Sequence, residues 1–229
     1  MKIYCMSDIH GCMEEFQYAL SLVEPYLSEA DTKLVLLGDY IHGGPDSYAV
    51  LDLIIRLQQK YGDDKCIALM GNHEDMACEG RWPIAADRIA DAEEEIDEEK
   101  EDRYTQWMAE LPRYYTEGNT IFVHAGIDED AQDSWEWATD DYTYTEKYPA
   151  QVGKFYGDIK IVAGHIGTAE ISGNRNFHDI YYDGESHYYV DGTVLDSGMI
   201  PVLMVDSEMN AYYRVTESGN WSILPYADE

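Results

Sequence analysis

The chain has 229 residues, of which 45% are hydrophobic and 13% aromatic, enough to bury the core of one domain. Its net charge of -31 comes from 15 Lys and Arg residues against 46 Asp and Glu residues. Such a charge repels nucleic-acid backbones and anionic membranes, so we expect neither as a partner, and the acidity alone indicates only a very soluble surface.

The cysteines indicate a reduced environment. The four of them form no C-x-x-C pair and are too few for a disulfide scaffold in a chain of this length. The first apolar run is short and leads straight into Ser7-Asp8, so we expect no signal peptide. No segment approaches the ~20 apolar residues of a membrane helix. We therefore expect a cytoplasmic protein.

Strands and helices alternate over the first 70 residues. Phe16, Ala19, Leu20 and Val23 recur at helical spacing and predict a helix from about residue 12 to 24. The other predicted elements here are strands at residues 2–6, 33–37 and 66–70, and a helix capped by Asp46 or Ser47. This alternation predicts a largely parallel sheet with helices on its faces.

Residues 75–118 break this alternation. A charge run covers residues 87–103, with isoleucines at roughly helical intervals inside it. A solvated helix with one thin apolar face explains this pattern, and a lid over a functional site is the alternative. A further helix, with Trp107 and Met108 as core contacts, should end at Pro112. We predict a single domain of residues 1–229 with a small acidic helical cap inserted at about 75–118.

The second half reads as mostly β-structure. Strands are predicted at 120–123 and 160–163, separated by a stretch at 128–149 that we interpret as loop and short helix. Further short strands are predicted at 180–182, 188–190, 201–205 and 211–215, with turns at Asp183-Gly184 and Ser218-Gly219.

Polar side chains follow five of the predicted strands, at the edge where open α/β sheets bind ligands. They are Asp8, His10, Asp39, Asn72, His73, His124 and His165. Of the seven histidines, five lie in or beside these motifs, which is hard to explain by isolated core histidines. Imidazole mixed with carboxylate suits Mn, Fe or Zn better than Ca or Mg. Since no cysteine is among the donors, we do not expect a structural zinc site.

The motifs resemble those of the calcineurin-like metallophosphoesterases. The strings "SDIHG", "GDYIHGGP", "GNHE", "VHAG" and "GHIGT" follow the family's order over residues 7–168. The chain is most similar to the branch of bacterial serine/threonine protein phosphatases and symmetrical diadenosine tetraphosphatases. The strings "WMAELPRYY" and "YYVDGTV" also look like that branch.

The resemblance implies a four-layer αββα sandwich and a site for two divalent metal ions, Mn or Fe/Zn. It implies that Asp8, His10 and Asp39 hold one ion, and that a bridging Asp39 shares the other with Asn72, His124 and His165. A hydroxide bridging the metals would attack phosphorus, as in serine/threonine phosphatases, and His73 would be the general acid.

The chain departs from this branch at the positions expected to contact substrate. His42 and Gly43 stand where the branch has an aspartate that orients the general acid and an arginine that binds phosphate. Thr139 stands where a second arginine is expected. Two other arginines, Arg81 and Arg175, are candidate replacements, although each is also explained as a surface residue. His42 either orients His73 or is a surface loop residue.

The substrate therefore stays open at this stage. A phosphoprotein, a nucleotide or another small-molecule phosphoester fits the motifs, and so do monoesters, diesters and dinucleotide polyphosphates. A metal-binding interaction protein with weak catalysis is the alternative from another functional class. Nothing in the sequence indicates the oligomeric state.

Overall fold

Two mixed β-sheets form the centre of the fold in the computed structural model, which describes residues 1–84 and 98–227. The strands are β1 (Lys2–Met6), β2 (Thr32–Leu36), β3 (Cys66–Ala68), β4 (Tyr114–Glu117), β5 (Thr120–Val123), β6 (Lys160–Ala163), β7 (Tyr181–Tyr182), β8 (His187–Tyr189), β9 (Leu203–Asp206), β10 (Ala211–Thr216) and β11 (Gly219–Ser222). The first sheet has the order β11-β10-β9-β1-β2-β3, and the second has the order β4-β5-β6-β8-β7.

Helices connect and cover these strands. They are α1 (Met13–Ser21), α2 (Ser47–Tyr61), α3 (Asn72–Cys78), α4 (Glu98–Ala109), α5 (Trp135–Ala138), α6 (Asp141–Glu146), α7 (Thr168–Ser172) and α8 (Val194–Ser197). Short 3-10 helices lie at Glu24–Tyr26 and Glu129–Ser134. No helix in the described ranges is both long enough and apolar enough to cross a membrane.

The parallel pairing predicted for the first three strands is confirmed, while each sheet as a whole is mixed. β1 pairs in parallel with β2, and β2 with β3, while β5, β6 and β8 form a parallel group in the second sheet. Antiparallel strands extend these groups through β9, β10 and β11 on one side and through β4 and β7 on the other. The carboxyl ends of five strands therefore become available to one site.

Side-chain alternation along β1 shows the layering. Ile3 and Cys5 pack in a core that Phe122 and Val162 of the second sheet also enter. Tyr4 and Met6 point the other way, into the core beneath α1 and α2. On the far side, the second sheet packs on α5 and α6 through residues such as Trp135. The order helix, sheet, sheet, helix confirms the four-layer sandwich.

The structure corrects several predicted boundaries. α1 ends at Ser21, and a 3-10 turn containing Pro25 follows it. β4 and β11 were not predicted, although Gly118-Asn119 between β4 and β5 is a turn signal. β4 lies inside the range predicted to be a cap, yet it pairs with β5 in the second sheet. Most of the charge run lies outside the described residues, so the lid stays a prediction.

Candidate active site

The Asp39 carboxylate lies at the centre of a buried polar cluster. Its Oδ1 is 3.4 Å from His124 Nε2. Its Oδ2 is 3.8 Å from His10 Nε2 and 3.8 Å from His73 Nε2. Candidate ligand atoms of His10, Asp39 and His73 lie within 4.8 Å of one another, and so do those of Asp39, His124 and His165. One carboxylate thus belongs to two adjacent groups of ligand atoms.

Asp8 and Asn72 complete the set of residues that the sequence singled out. Asp8 Oδ1 lies 3.9 Å from His10 Nε2, and its two oxygens accept the backbone N–H of His165 at 3.2 and 3.0 Å. The side-chain oxygen of Asn72 lies 3.0 Å from His124 Nε2 and 3.2 Å from His165 Nδ1. All seven predicted residues therefore come together at one edge of the sandwich.

Backbone carbonyls fix the tautomers of two of these histidines. His10 Nδ1 lies 3.1 Å from the His42 carbonyl, and His124 Nδ1 lies 3.1 Å from the Leu37 carbonyl. Because a carbonyl only accepts, both Nδ1 atoms carry the proton in these hydrogen bonds. The Nε2 atoms then face the carboxylates, which is the arrangement of a metal-binding histidine with an outer hydrogen bond.

The charges of the cluster are only partly balanced by protein groups. Burial acts to raise the pKa of Asp39, but His124, followed by His73 and His10, outweighs it and holds that pKa below its ordinary value. Burial acts to lower the pKa of His124, and Asp39 overcomes it to raise the pKa to about 9. Burial raises the pKa of Asp8 to about 6. Two buried carboxylates side by side are costly unless cations compensate them.

Asn72 provides a test of whether metal ions fit here. With its oxygen turned inward, the carboxamide of Asn72 faces only acceptors, including both Asp39 oxygens. A cation bound by the amide oxygen and the Asp39 carboxylate together is the natural partner of that arrangement. With its nitrogen turned inward, it donates to Asp39 at 3.2 and 3.1 Å instead. Two carboxylates, one amide and several imidazoles are the donor chemistry of Mn, Fe or Zn, so the residues fit.

The backbone around the cluster is strained. Asp8, His10, Asp39, His42 and His165 have φ between 48° and 70°, in the left-handed region that non-glycine residues rarely adopt. They make up five of the eight such residues in the described part of the chain. Each costs of the order of 1 kcal/mol, so their concentration here indicates a geometry maintained for function.

Glu74 is a site residue that our sequence analysis missed. Its carboxylate is fully buried and accepts the backbone N–H groups of Asp39 at 2.8 Å, Tyr40 at 2.8 Å and Gly71 at 3.1 Å. Burial, followed by the charge of Asp39, raises its pKa to about 7. The available signal was its place three residues after Gly71, the capping position of α3. Glu74 ties the Asp39 loop to α3.

His42 is fully buried, so its interpretation as a surface loop residue is wrong. Its Nδ1 lies 3.0 Å from His73 Nδ1, and its Nε2 lies 3.1 Å from the Pro83 carbonyl. The Trp82 ring stacks on it, with ring centres 4.3 Å apart and an angle of 11° between the planes. Burial, followed by His73, lowers the pKa of His42 to about 4. His42 therefore touches the residue that the resemblance makes the general acid.

The two positions expected to carry arginine are occupied in other ways. Gly43 has φ of 99°, and a Cβ atom there would lie 2.6 Å from Leu195 Cδ1. The Thr139 hydroxyl donates to the Trp135 carbonyl at 2.6 Å and accepts from the backbone N–H of Asp128 at 3.0 Å. Thr139 therefore stabilises its own loop.

The two candidate replacement arginines lie in different surroundings. Arg81 forms an ion pair with Glu79, and its guanidinium is 3.9 Å from Glu146. Arg175 lines a separate cleft of about 990 Å³ together with Arg214 and Trp221, and none of the cluster residues lines that cleft. A phosphate contact from either arginine stays a prediction.

Two mixed sheets in a four-layer sandwich, with Asp, Asn and His side chains gathered at one edge, define the class of α/β metallophosphoesterase folds. The sequence profile of the calcineurin-like phosphoesterases matches residues 1–196. The chain therefore belongs to the calcineurin-like phosphoesterase family, and the resemblance drawn from the motifs is confirmed.

Curated relatives are symmetrical bis(5'-nucleosyl)-tetraphosphatases. The protein from Nitrosospira multiformis is 32% identical over 130 residues, which cover 56% of this chain and 44% of that protein. The protein from Erwinia tasmaniensis is 28% identical over 171 residues, covering 69% of this chain and 58% of that protein. The chain thus matches less than two thirds of the length of these relatives.

Solved structures share the fold at low sequence identity. A cold-active protein tyrosine phosphatase from a Shewanella species superposes with a TM-score of 0.67 at 16% identity, covering 97% of this chain and 80% of that chain. A putative diadenosine tetraphosphatase superposes with a TM-score of 0.62 at 19% identity, covering 93% and 92%. These similarities support the fold alone.

Proposed function

We propose that this chain is a phosphoester hydrolase that uses two divalent metal ions, held by Asp8, His10, Asp39, Asn72, His124 and His165. The observation that carries the proposal is the position of Asp39, whose two oxygens lie near different histidines and belong to two groups of ligand atoms. When bound, two divalent cations lower the pKa of water and neutralise charge on the phosphoryl group. Family membership supports the class of reaction.

The protein residues have separate roles in this proposal. Asp39 provides one oxygen to each group of ligand atoms, and His10 and His124 direct their Nε2 atoms toward it. Glu74 holds the Asp39 loop in place through backbone N–H groups. Hydrolysis adds the oxygen of one water molecule to phosphorus and breaks the bond to the leaving oxygen. That oxygen takes a proton from His73 Nε2, which lies at the edge of the cluster.

The absence of arginine at positions 43 and 139 affects which phosphoesters the site binds well. A phosphomonoester carries one more negative charge than a diester, and an arginine normally binds that charge bidentately. Position 43 has no side chain, and Thr139 is engaged within its own loop. We therefore propose diesters and dinucleotide polyphosphates as better substrates than monoesters. The names of the curated relatives agree with the second of these.

A substrate panel with added Mn²⁺ tests the proposal. We expect bis-nitrophenyl phosphate and diadenosine tetraphosphate to be hydrolysed faster than nitrophenyl phosphate, because loss of one strong donor to a phosphoryl group costs on the order of 100-fold. A strong preference for the monoester that persists in Arg81→Ala and Arg175→Ala would contradict the substrate assignment. No turnover of any member, in protein that holds metal, would instead favour the interaction protein.

His73 has a competing interpretation, because its Nε2 also belongs to the group formed with His10 and Asp39. For a general acid, we expect His73→Asn to keep its metal content and to slow alkyl esters more than nitrophenyl esters, whose leaving group needs little protonation. Elemental analysis and paired rate measurements check this. A lower metal content with equal losses on both substrates would make His73 a ligand.

A further inference from the structure

Three segments of the chain meet around one pair of imidazoles beside the cluster. His42 follows β2, His73 lies in the first turn of α3, and the Trp82-Pro83 pair follows that helix. The two Nδ1 atoms are 3.0 Å apart, and Trp82 stacks on His42 while also lying 5.2 Å, centre to centre, from the His73 ring. The Trp82 ring therefore packs against both imidazoles.

The Pro83 carbonyl decides where the protons of this pair lie. A carbonyl only accepts, so His42 Nε2, at 3.1 Å, must carry a proton to bond to it. No ion pair joins His42 to a carboxylate among residues 1–84 and 98–227, so no carboxylate in direct contact accepts a second proton from its ring. His42 Nδ1 is then an acceptor, and His73 Nδ1–H is the donor between the rings.

We propose that His42 is a positioning residue that holds His73 with Nδ1 protonated and Nε2 directed at the metal cluster. Two hydrogen bonds connect the Pro83 carbonyl to His42 and His42 to His73. Trp82 stacks on the His42 ring and fixes its plane. The inference deepens the proposed function and rests on it only for its consequence in catalysis. The arrangement of the protons belongs to the metal-free protein as well.

That residue 42 is a histidine and not a carboxylate has a consequence for the reaction. A neutral imidazole accepts the His73 proton but adds no negative charge, whereas a carboxylate at this position would stabilise the imidazolium form. His42 therefore stabilises the imidazolium form, in which His73 Nε2 carries a proton to donate, less than a carboxylate would. Leaving groups that need little protonation, such as phosphoanhydride and aryl oxygens, are favoured over alkyl oxygens.

The tautomer is measured directly in metal-free protein labelled with ¹⁵N histidine. Long-range ¹H–¹⁵N spectra should show His73 protonated at Nδ1 in the unchanged chain. In His42→Ala, a population protonated at Nε2 should appear, because Asp39 Oδ2, at 3.8 Å, then competes as the acceptor. His42→Asn, whose carboxamide oxygen can accept a hydrogen bond, should restore the original tautomer. His178→Ala changes a histidine outside the cluster and is the control, in which the His73 tautomer should stay unchanged. An unaltered His73 tautomer in His42→Ala overturns the proposal.

Activity gives the second readout. In Mn²⁺-loaded protein, His42→Asp should lower the ratio of nitrophenyl to alkyl ester turnover by about tenfold, since hydrogen bonds to charged groups are stronger than those between neutral groups. Equal changes on both esters overturn the catalytic consequence. If the unchanged protein hydrolyses neither ester, the proposed function fails, while the tautomer measurement still decides the role of His42. Should His42→Ala not fold, the comparison of His42→Asn with His42→Asp replaces it.

Discussion

Asp39→Asn is expected to remove most of the bound metal and nearly all of the activity. Its carboxylate faces His124 with one oxygen and both His10 and His73 with the other. Losing an outer-shell partner of a metal ligand typically costs ~10–100-fold, so the loss should exceed 100-fold if Asp39 is shared by two ions as proposed. Elemental analysis and turnover of the best substrate in the panel measure the two effects.

Asp31→Asn is the matched control, because Asp31 immediately precedes β2, the strand that leads to Asp39, and is exposed. It should keep both metal content and rate. A full pair of metal ions and a normal rate in Asp39→Asn would show that the carboxylate is not shared between two ions.

Glu74→Ala is expected to be the most destabilising single change near the site. It leaves the N–H groups of Gly71, Asp39 and Tyr40 without their acceptor in the interior. Each unsatisfied buried group costs about 1–3 kcal/mol, so the free energy of unfolding should fall by at least about 3 kcal/mol. Urea denaturation of the metal-free protein measures this fall apart from any loss of metal.

Two further variants serve as a control and separate the loss of the Glu74 hydrogen bonds from the loss of its negative charge. Glu110→Ala changes an exposed glutamate after α4 and should alter stability by less than about 0.5 kcal/mol. Glu74→Gln keeps one acceptor oxygen but turns an NH₂ group toward N–H donors, so its loss should be intermediate. A Glu74→Ala variant as stable as the unchanged chain would show that the Asp39 loop does not depend on this carboxylate.

Local sequence patterns predicted the parallel strands and the donors at their ends, and the resemblance of the motifs to a known family predicted the four-layer sandwich. Alternating strand and helix periods predict parallel strands, and the carboxyl ends of parallel strands converge. Because the resemblance implied two facing sheets, the donors after β1, β2, β3, β5 and β6 were expected to lie close together. The structure brings all seven together, as the distances around Asp39 show.

What the sequence left undecided depends on contacts between distant segments. The role of His42 was undecided because Pro83, which fixes its proton, lies 41 residues further along the chain. The spacing of Glu74 from Gly71 indicates only a helix cap, and its bonds to the backbone of the Asp39 loop, 34 and 35 residues earlier, were missed because backbone N–H groups carry no sequence signature. β4 was missed because its side chains are only partly buried, so its alternation is weak.

The contact between Gly43 and Leu195 has a consequence for how this chain changes over evolutionary time. A side chain at position 43 meets Leu195 and must also adopt φ near 99°, whereas Leu195 itself is 53% exposed and easily replaced. Arginine at position 43 is therefore costly mainly through its backbone conformation, since the exposed Leu195 side chain can move aside. A smaller residue at 195 relieves the contact but leaves the backbone strain in place. The two positions are in contact, so the effects of substitutions at 43 and 195 should not add independently.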